Sequence, residues 1–202
     1  MMNSEEIKER LALIGALAED AQAGFETMLV PFLLYGIAIP AGTAATYFFV
    51  HLELAKFVWL FWLALVGLCQ LFLSLYFRRD RQVKIQRASD RIFAALWGSI
   101  GFTIMLNFVF FMVGKIAFAV IFFNIGILIA IGSAVSGTLV QKKVQLLMYL
   151  ESALWAACAL SCLLVSPYNA PFVIAGATFV LLAIPAFTGL LIMRKKKTGD
   201  ER

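Results

Sequence analysis

Apolar residues along this chain do not alternate with polar ones; they come in long runs. Six stretches stand out: Leu29 to Val50, Phe57 to Phe77, Ile92 to Gly114, Ile116 to Val140, Leu146 to Ser166 and Pro171 to Met193. Each holds more than 20 residues, and Glu151 is the single charged side chain among them. A helix rising about 1.5 Å per residue needs about 20 residues to cross about 30 Å of hydrocarbon, so each stretch is long enough to span a bilayer. Hydrocarbon offers no partner to a free backbone amide, which leaves helices or closed barrel strands. Runs of this length without in/out alternation predict helices. The expected fold is all-α: a bundle of six transmembrane helices over 29–50, 57–77, 92–114, 116–140, 146–166 and 171–193.

The pattern differs before the first run. Ile7, Leu11, Ile14, Ala18, Ala21, Phe25 and Met28 recur at alternating spacings of 4 and 3, a heptad-like seam on an otherwise polar helix. Ser4 suits the N-cap, and Glu5 and Glu6 sit against the positive end of the helix dipole. Residues 1–28 are therefore expected to form an amphipathic, acidic cytoplasmic helix, and 194–202 a basic cytoplasmic tail. The start of the chain shows no short apolar core with a small-residue cleavage site, so no signal peptide is expected.

Composition agrees with this reading and narrows it. Hydrophobic residues make up 62% of the chain, charged residues 14%, and the mean hydropathy is +0.91, which excludes an ordinary soluble domain. Charge then sets the orientation. With the N-terminus inside, fifteen of the 17 Lys and Arg residues fall on the cytoplasmic side and only Lys56 and Lys115 fall outside. Both termini are expected in the cytoplasm. Three short outer connections then make three hairpins, with Trp59, Trp62 and Tyr168 at the outer interface and Tyr76, Trp97 and Tyr149 at the inner one. The helix over 4–28 carries −4, and the loop from Arg78 to Arg91 carries +4. Docking of that helix on the loop is expected through Arg78, Arg79, Arg81, Lys84 and Arg87, in the same chain or a neighbour. A cytoplasmic protein partner or the membrane surface are the other ways to cover its seam, although helices that lie on anionic lipid are usually basic.

Candidate chemistry is sparse. The polar side chains within the spans are Gln70, Asn107, Asn124 and Glu151. Asn107 and Asn124 lie at nearly equal depth on adjacent helices and can pair across their hairpin. Glu151 lies about 7 to 8 Å below the inner edge, at a depth comparable with Gln70; Gln70, Arg91 and Arg194 are the donors nearest to it in depth. Pro31, Pro40 and Pro185 remove amide donors inside spans and free the carbonyls of Thr27, Gly36 and Leu181, so these are candidate kinks. Gly132 with Ser136, Ser133 with Gly137, and Ala153, Ala157 and Ser161 make small-residue faces suited to close helix packing, within the bundle or in a homo-oligomer. No repeat among the hairpins is evident. Cys69, Cys158 and Cys162 lie in apolar runs, where they pack as small side chains. A glutamate with two cysteines and no histidine falls short of a metal site. The chain has no H-E-x-x-H, no aspartate in a span, no serine/histidine pairing for the lone His51, and no P-loop or dinucleotide fingerprint. No enzyme, cofactor or metal is expected, and the basic loop carries no recognised nucleic-acid reader.

"NSEEIKERL", "YGIAIPAGTAATYF", "DRIFAALWGSIGF", "GILIAIGSAVSGTL" and "LAIPAFTGLLI" together resemble a family of small bacterial six-span membrane proteins with no assigned activity; that family would carry a glycine where this chain has Ala186. The resemblance implies a bacterial inner (cytoplasmic) membrane location and six helices, and it brings no catalytic residues. Two functions are consistent with the sequence. One is a membrane scaffold or regulatory protein acting through its cytoplasmic helix and loops. The other is a small oligomeric transporter or channel with a polar site around Glu151 and Gln70.

Overall fold

The computed structural model describes residues 4–81, 88–140 and 142–199. Those residues are helical throughout apart from short connections, with no strand among them. In chain order the helices are α1 (Ser4–His51), α2 (Val58–Arg81), α3 (Ala88–Met112), α4 (Phe118–Leu139), α5 (Lys142–Leu164), α6 (Ala170–Thr178) and α7 (Ile184–Gly199). A single 3₁₀ turn, Ala55–Phe57, precedes α2, and a five-residue π segment, Phe179–Ala183, joins α6 to α7. Among the described residues six stretches are long and apolar enough to cross a membrane: Gly24–His51, Val58–Arg78, Ser89–Met112, Phe118–Leu139, Val144–Leu164 and Ala170–Arg194. This is the build of a multi-pass membrane protein.

Helix boundaries depart from the sequence expectation in a consistent direction. Where the pattern divides an amphipathic helix over 1–28 from a first span over 29–50, the backbone has no division, and α1 runs for 48 residues without a turn. Pro31 and Pro40 both lie inside it. A proline in a membrane helix costs one backbone hydrogen bond, and packing by neighbouring helices compensates for it; here Phe32 meets Trp97 edge-to-face at 4.8 Å, and Gly36 lies against Ala183. The last span behaves differently. It changes from α to π geometry at Phe179–Ala183, and Pro185 lies just beyond, at the second residue of α7. The region expected as a tail from residue 194 continues α7 to Gly199.

Two connections are closed by the same device. At the end of α1, Leu54 N–H donates to Phe49 O (2.8 Å) and Glu53 N–H to Val50 O (3.2 Å). After α3, Lys115 N–H donates to Phe110 O and Gly114 N–H to Phe111 O, each at 2.8 Å. Both are Schellman caps, which need a left-handed residue at the turn. Gly114 supplies it at φ 71°; Glu53 adopts φ 59° with a full side chain.

α1 runs through the centre of the bundle. It packs on α2, α3, α4, α6, the π segment and α7. Around it, α3 packs on α4, α4 on α5 and α5 on α6, while α2 packs mainly on α1. Paired contacts give the directions: Gly24 on Ser89 and Phe32 on Trp97 run α1 and α3 parallel, whereas Gly36 on Ala183 and Leu29 on Gly189 run α1 against α7. The most extensive helix pair in the bundle is α4 with α5, which the sequence places in different hairpins. Small residues explain this closeness. A Cβ added to Gly126 would lie 2.7 Å from the Cβ of Ala159, and one added to Gly137 would lie 3.0 Å from the Cβ of Met148. On the other side of α4, Gly132 accepts Ile100 and Trp97 of α3. The small-residue face of α4 is thus used up inside the chain, and of the stripe on α5, Ala153 and Ala157 remain exposed.

These glycines give a controlled comparison. Gly36→Ala and Gly126→Ala each push a new methyl into backbone or Cβ atoms closer than 3.0 Å, so each should destabilise the detergent-solubilised fold by about 1 to 3 kcal/mol. Gly98→Ala and Gly101→Ala on α3 meet nothing within 4 Å and should be neutral or stabilising by up to about 1 kcal/mol. Reversible denaturation of the four variants checks both halves; equal losses at all four sites would contradict this packing.

Candidate functional site

The intramembrane carboxylate lies in the α4–α5 seam. Ser133 Oγ of α4 donates to Glu151 Oε1 at 3.2 Å, and one residue further along α5, Ser152 Oγ donates to the backbone carbonyl of Ala130 at 2.8 Å. Ser133 is fully buried and Glu151 partly so. Trp155, one helical turn beyond Glu151, has no exposed surface. Its Nε1 lies within electrostatic reach of the carboxylate without forming a well-aligned hydrogen bond. No salt bridge to Glu151 forms among the described residues. The donor is therefore a serine on the adjacent helix, not Gln70, Arg91 or Arg194. The reason lies in the packing: the small residues of α4 bring its backbone close enough for a short hydroxyl to reach the acid.

Gln70 is elsewhere. It is exposed on α2, which packs mainly on α1, while α5 packs mainly on α4 and α6. The expected pairing of Glu151 with Gln70 around one polar site is not what the fold builds.

Asn107 and Asn124 do meet. Asn124 Nδ2 donates to Asn107 Oδ1 at 2.6 Å, and Asn107 Nδ2 donates to Thr103 O at 2.9 Å. The pair lies at the edge of a groove of about 360 Å³ between α3 and α4, whose other walls are Thr103, Leu106, Phe110, Ile127 and Leu128. Glu151 does not line this groove. One hydrogen bond joins the two amides, and apolar side chains make up most of the wall.

A third polar cluster joins α1 to the start of α3. Ser89 N–H donates to Asp20 Oδ2 (3.2 Å) and Ser89 Oγ to Asp20 O (2.8 Å). Thr27 Oγ1 lies 3.3 Å from Asp90 Oδ1 and donates to Gly24 O at 2.6 Å. Ser89 is the second residue of α3, so Asp20 caps that helix from another helix, at the end where free amides and the dipole favour an acid. Gly24 makes the contact possible, since any Cβ there would lie 2.6 Å from Ser89 Oγ; Phe25 packs on the fully buried Phe93 just below. Of the expected seam, Phe25 and Met28 pack inward, and the side chains of Ile7, Leu11, Ile14, Ala18 and Ala21 lie outside the described residues. Arg78 is exposed at the end of α2. The side chains of Arg79 and Arg81, and the whole of Lys84 and Arg87, lie outside the described residues.

The aromatic residues expected in belts partly turn inward. Trp62 Nε1 donates to Thr46 Oγ1 at 2.9 Å and Trp97 Nε1 to the buried Ser136 Oγ at 3.3 Å, so both rings join α1–α2 and α3–α4 packing. The three cysteines are free thiols, and Cys162 is fully buried. Among the described residues no group of three metal-ligating side chains comes together. The sequence pattern does not mark Ser133, Ser152, Trp155, Asp20 or Ser89 as polar partners; Ser133 stands out in it only as a small residue. A shared pattern, Ala-Ile-Pro-Ala-x-Thr at 38–43 and again at 183–188, also marks the first and last spans, which pack against each other.

Comparison with known proteins finds no matching family model, no matching curated protein and no matching solved structure. Function must be read from the chain's own geometry.

If Glu151 is a structural partner, Glu151→Gln keeps an acceptor for Ser133 and should change stability by less than about 1 kcal/mol. Glu151→Leu removes the acceptor beside a buried hydroxyl and should cost about 1 to 3 kcal/mol. Thermal or denaturant unfolding in detergent separates the two. A loss for glutamine as large as that for leucine would show that the charge, which both variants remove, holds α5 in place rather than the acceptor.

Proposed function

We propose that the chain is a non-enzymatic membrane scaffold or regulatory protein of the bacterial inner membrane, with both termini in the cytoplasm. It engages a cytoplasmic partner through the N-terminal part of α1 and the neighbouring basic loops. The observation that carries this reading is the continuity of α1 together with its clamp. The first apolar span begins at Gly24, and the Asp20–Ser89 and Thr27–Asp90 contacts fix the helix at the membrane boundary. Ser4 to Ala23 extends that fixed helix by about 30 Å at 1.5 Å per residue. Glu6, Arg10, Ala12, Leu13, Gly15 and Ala16 along it are exposed. A continuous helix whose sequence spaces apolar residues as a seam among acids fits a partner that presents an amphipathic, basic-edged helix. The polar groups of the bundle point the same way: the Ser133–Glu151 contact and the Asn107–Asn124 pair each use side chains already paired within the chain, at separate places. Orientation and location rest on the distribution of Lys and Arg and on the resemblance drawn above.

A transport function is favoured by one observation, the π segment Phe179–Ala183 beside Gly36 of α1, because π geometry inside a helix often marks a working site.

Photo-crosslinking separates the two. A photoreactive residue at Leu13 or Ala16 in living cells should yield a discrete adduct with a soluble protein, while the same residue at Leu160 on the exposed side of α5 should not. Purified protein in proteoliposomes should pass no more protons or cations than empty vesicles. No adduct anywhere from Glu6 to Ala16, combined with a flux that Glu151→Gln abolishes, would replace the scaffold reading with transport.

A further inference from the structure

α2 is the helix least covered by the rest of the chain, with 11% of its span buried. Cys69 and Leu73 are buried on its α1 side, and Trp62 and Leu65 pack there on Gly42 and Thr46. A flank beside that side carries Leu60, Leu63, Gly67, Gln70 and Ser74, all exposed and separated by 3, 4, 3 and 4 residues. That is the spacing of a two-helix seam, in which about one residue per turn faces a partner helix. Bare leucines on such a face need no explanation in lipid. The amide of Gln70 does. It makes no hydrogen bond among the described residues, and it lies eight residues from Arg78 and twelve from Val58 within the span, roughly 12 and 18 Å along the helix from either end. Glutamine cannot reach the headgroups over that distance, and hydrocarbon gives its two donors and its carbonyl nothing to bond.

We propose that this face of α2 is the interface at which two copies of the chain pair, with Gln70 bonded to Gln70 across the two-fold axis. Three observations select a second copy as the occupant. Copies inserted in the same direction and related by an axis along the membrane normal place identical residues at identical depth, so a Gln70 on the seam faces its own counterpart. A carboxamide is self-complementary, since each offers the donor that the other's carbonyl needs. Gly67, one turn before Gln70, has nothing within 4 Å of where a Cβ would sit, and Ser74 is small; both leave room for a second backbone to approach. Glutamine or asparagine at one seam position fixes register and pairing state in two-helix contacts, which suits a parallel dimer in one register. The proposal does not depend on the scaffold reading, because it concerns a face that neither α1's stalk nor the polar groups of the bundle occupy.

The test uses the full chain alone in lipid vesicles, so that a second copy is the only protein partner present. Single-molecule photobleaching over a range of protein-to-lipid ratios should give a monomer–dimer equilibrium. Gln70→Leu should raise its dissociation constant about tenfold, the size expected for two interhelical amide hydrogen bonds. Gln70→Asn should raise it less. Gln70 is exposed and makes no hydrogen bond among the described residues, so Gln70→Leu should leave the melting profile in detergent unchanged, which checks that folding is intact. In a background with Cys69, Cys158 and Cys162 replaced by alanine, single cysteines at Leu63 or Ser74 should form disulfide-linked dimers under oxidation. Single cysteines at Leu68 or Phe72, on the opposite exposed side, should not. Monomers at every dilution, an unchanged dissociation constant for Gln70→Leu, or stronger crosslinking at Leu68 and Phe72 would each overturn the proposal.

Discussion

A polar group inside hydrocarbon has no water to fall back on, so it bonds to its own helix or to a neighbouring one, and the bonds between helices fix the arrangement of this bundle. Among the described residues Tyr35 Oη and Trp155 Nε1 are buried without such a bond. The partners here are short. Ser133 reaches Glu151, Ser152 reaches the carbonyl of Ala130, and Trp97 reaches Ser136, contacts that a hydroxyl can make only if the helix axes come close. Gly126, Gly132 and Gly137 on α4 permit that approach. Individual hydrogen bonds of this kind contribute on the order of 0.6 kcal/mol, so the dispersion gained by close packing holds α4 and α5 together while the hydrogen bonds fix their register. The same logic holds for the Asn107–Asn124 pair, which sets α3 against α4 at the edge of the groove that both amides help to line.

α1 transmits this order to the rest of the chain. It touches most of the other helices, and it enters the membrane with its position fixed by Asp20 on the first turn of α3. That contact converts a stretch whose own composition suggests a separate surface helix into a rigid extension of the first span. Further along, Gly36 and the π segment meet where both helices lack a regular bonding pattern: Pro40 removes the amide that would bond Gly36, and the α register of the last span changes at Phe179–Ala183. Two irregular backbones packed face to face can compensate each other sterically, with the missing side chain of glycine filled by Ala183.

The long features were legible in the sequence and the short-range ones were not. Six apolar runs gave six helices because length and hydropathy are properties of twenty residues at once. Asn107 and Asn124 could be paired in advance because counting outward from Gly114 gives their depth. Glu151 could not be assigned its partner by depth alone: Gln70, Arg91 and Arg194 shared its level, but which helix lies beside α5 is decided by glycine and serine faces, and the same residues serve equally well for packing within a chain or between chains. Ser133 therefore looked like filler. The break expected near residue 28 was inferred from a change in polarity, yet helix continuity depends on local backbone geometry, and nothing between Phe25 and Pro31 ends a helix. The π segment left only Pro185 as a trace.

The account stands on the dryness of the α4–α5 seam. Water-edited solid-state NMR of the isotope-labelled protein in lipid bilayers tests it directly, by following magnetisation from water protons into assigned side chains. Ser89 and Asp20 at the membrane boundary should light up early, while Ser133, Glu151 and the indole N–H of Trp155 should stay dark at short mixing times. Early transfer to Glu151 and Ser133, at the rate seen for Ser89, would contradict the account and put a hydrated path where a packed seam is drawn.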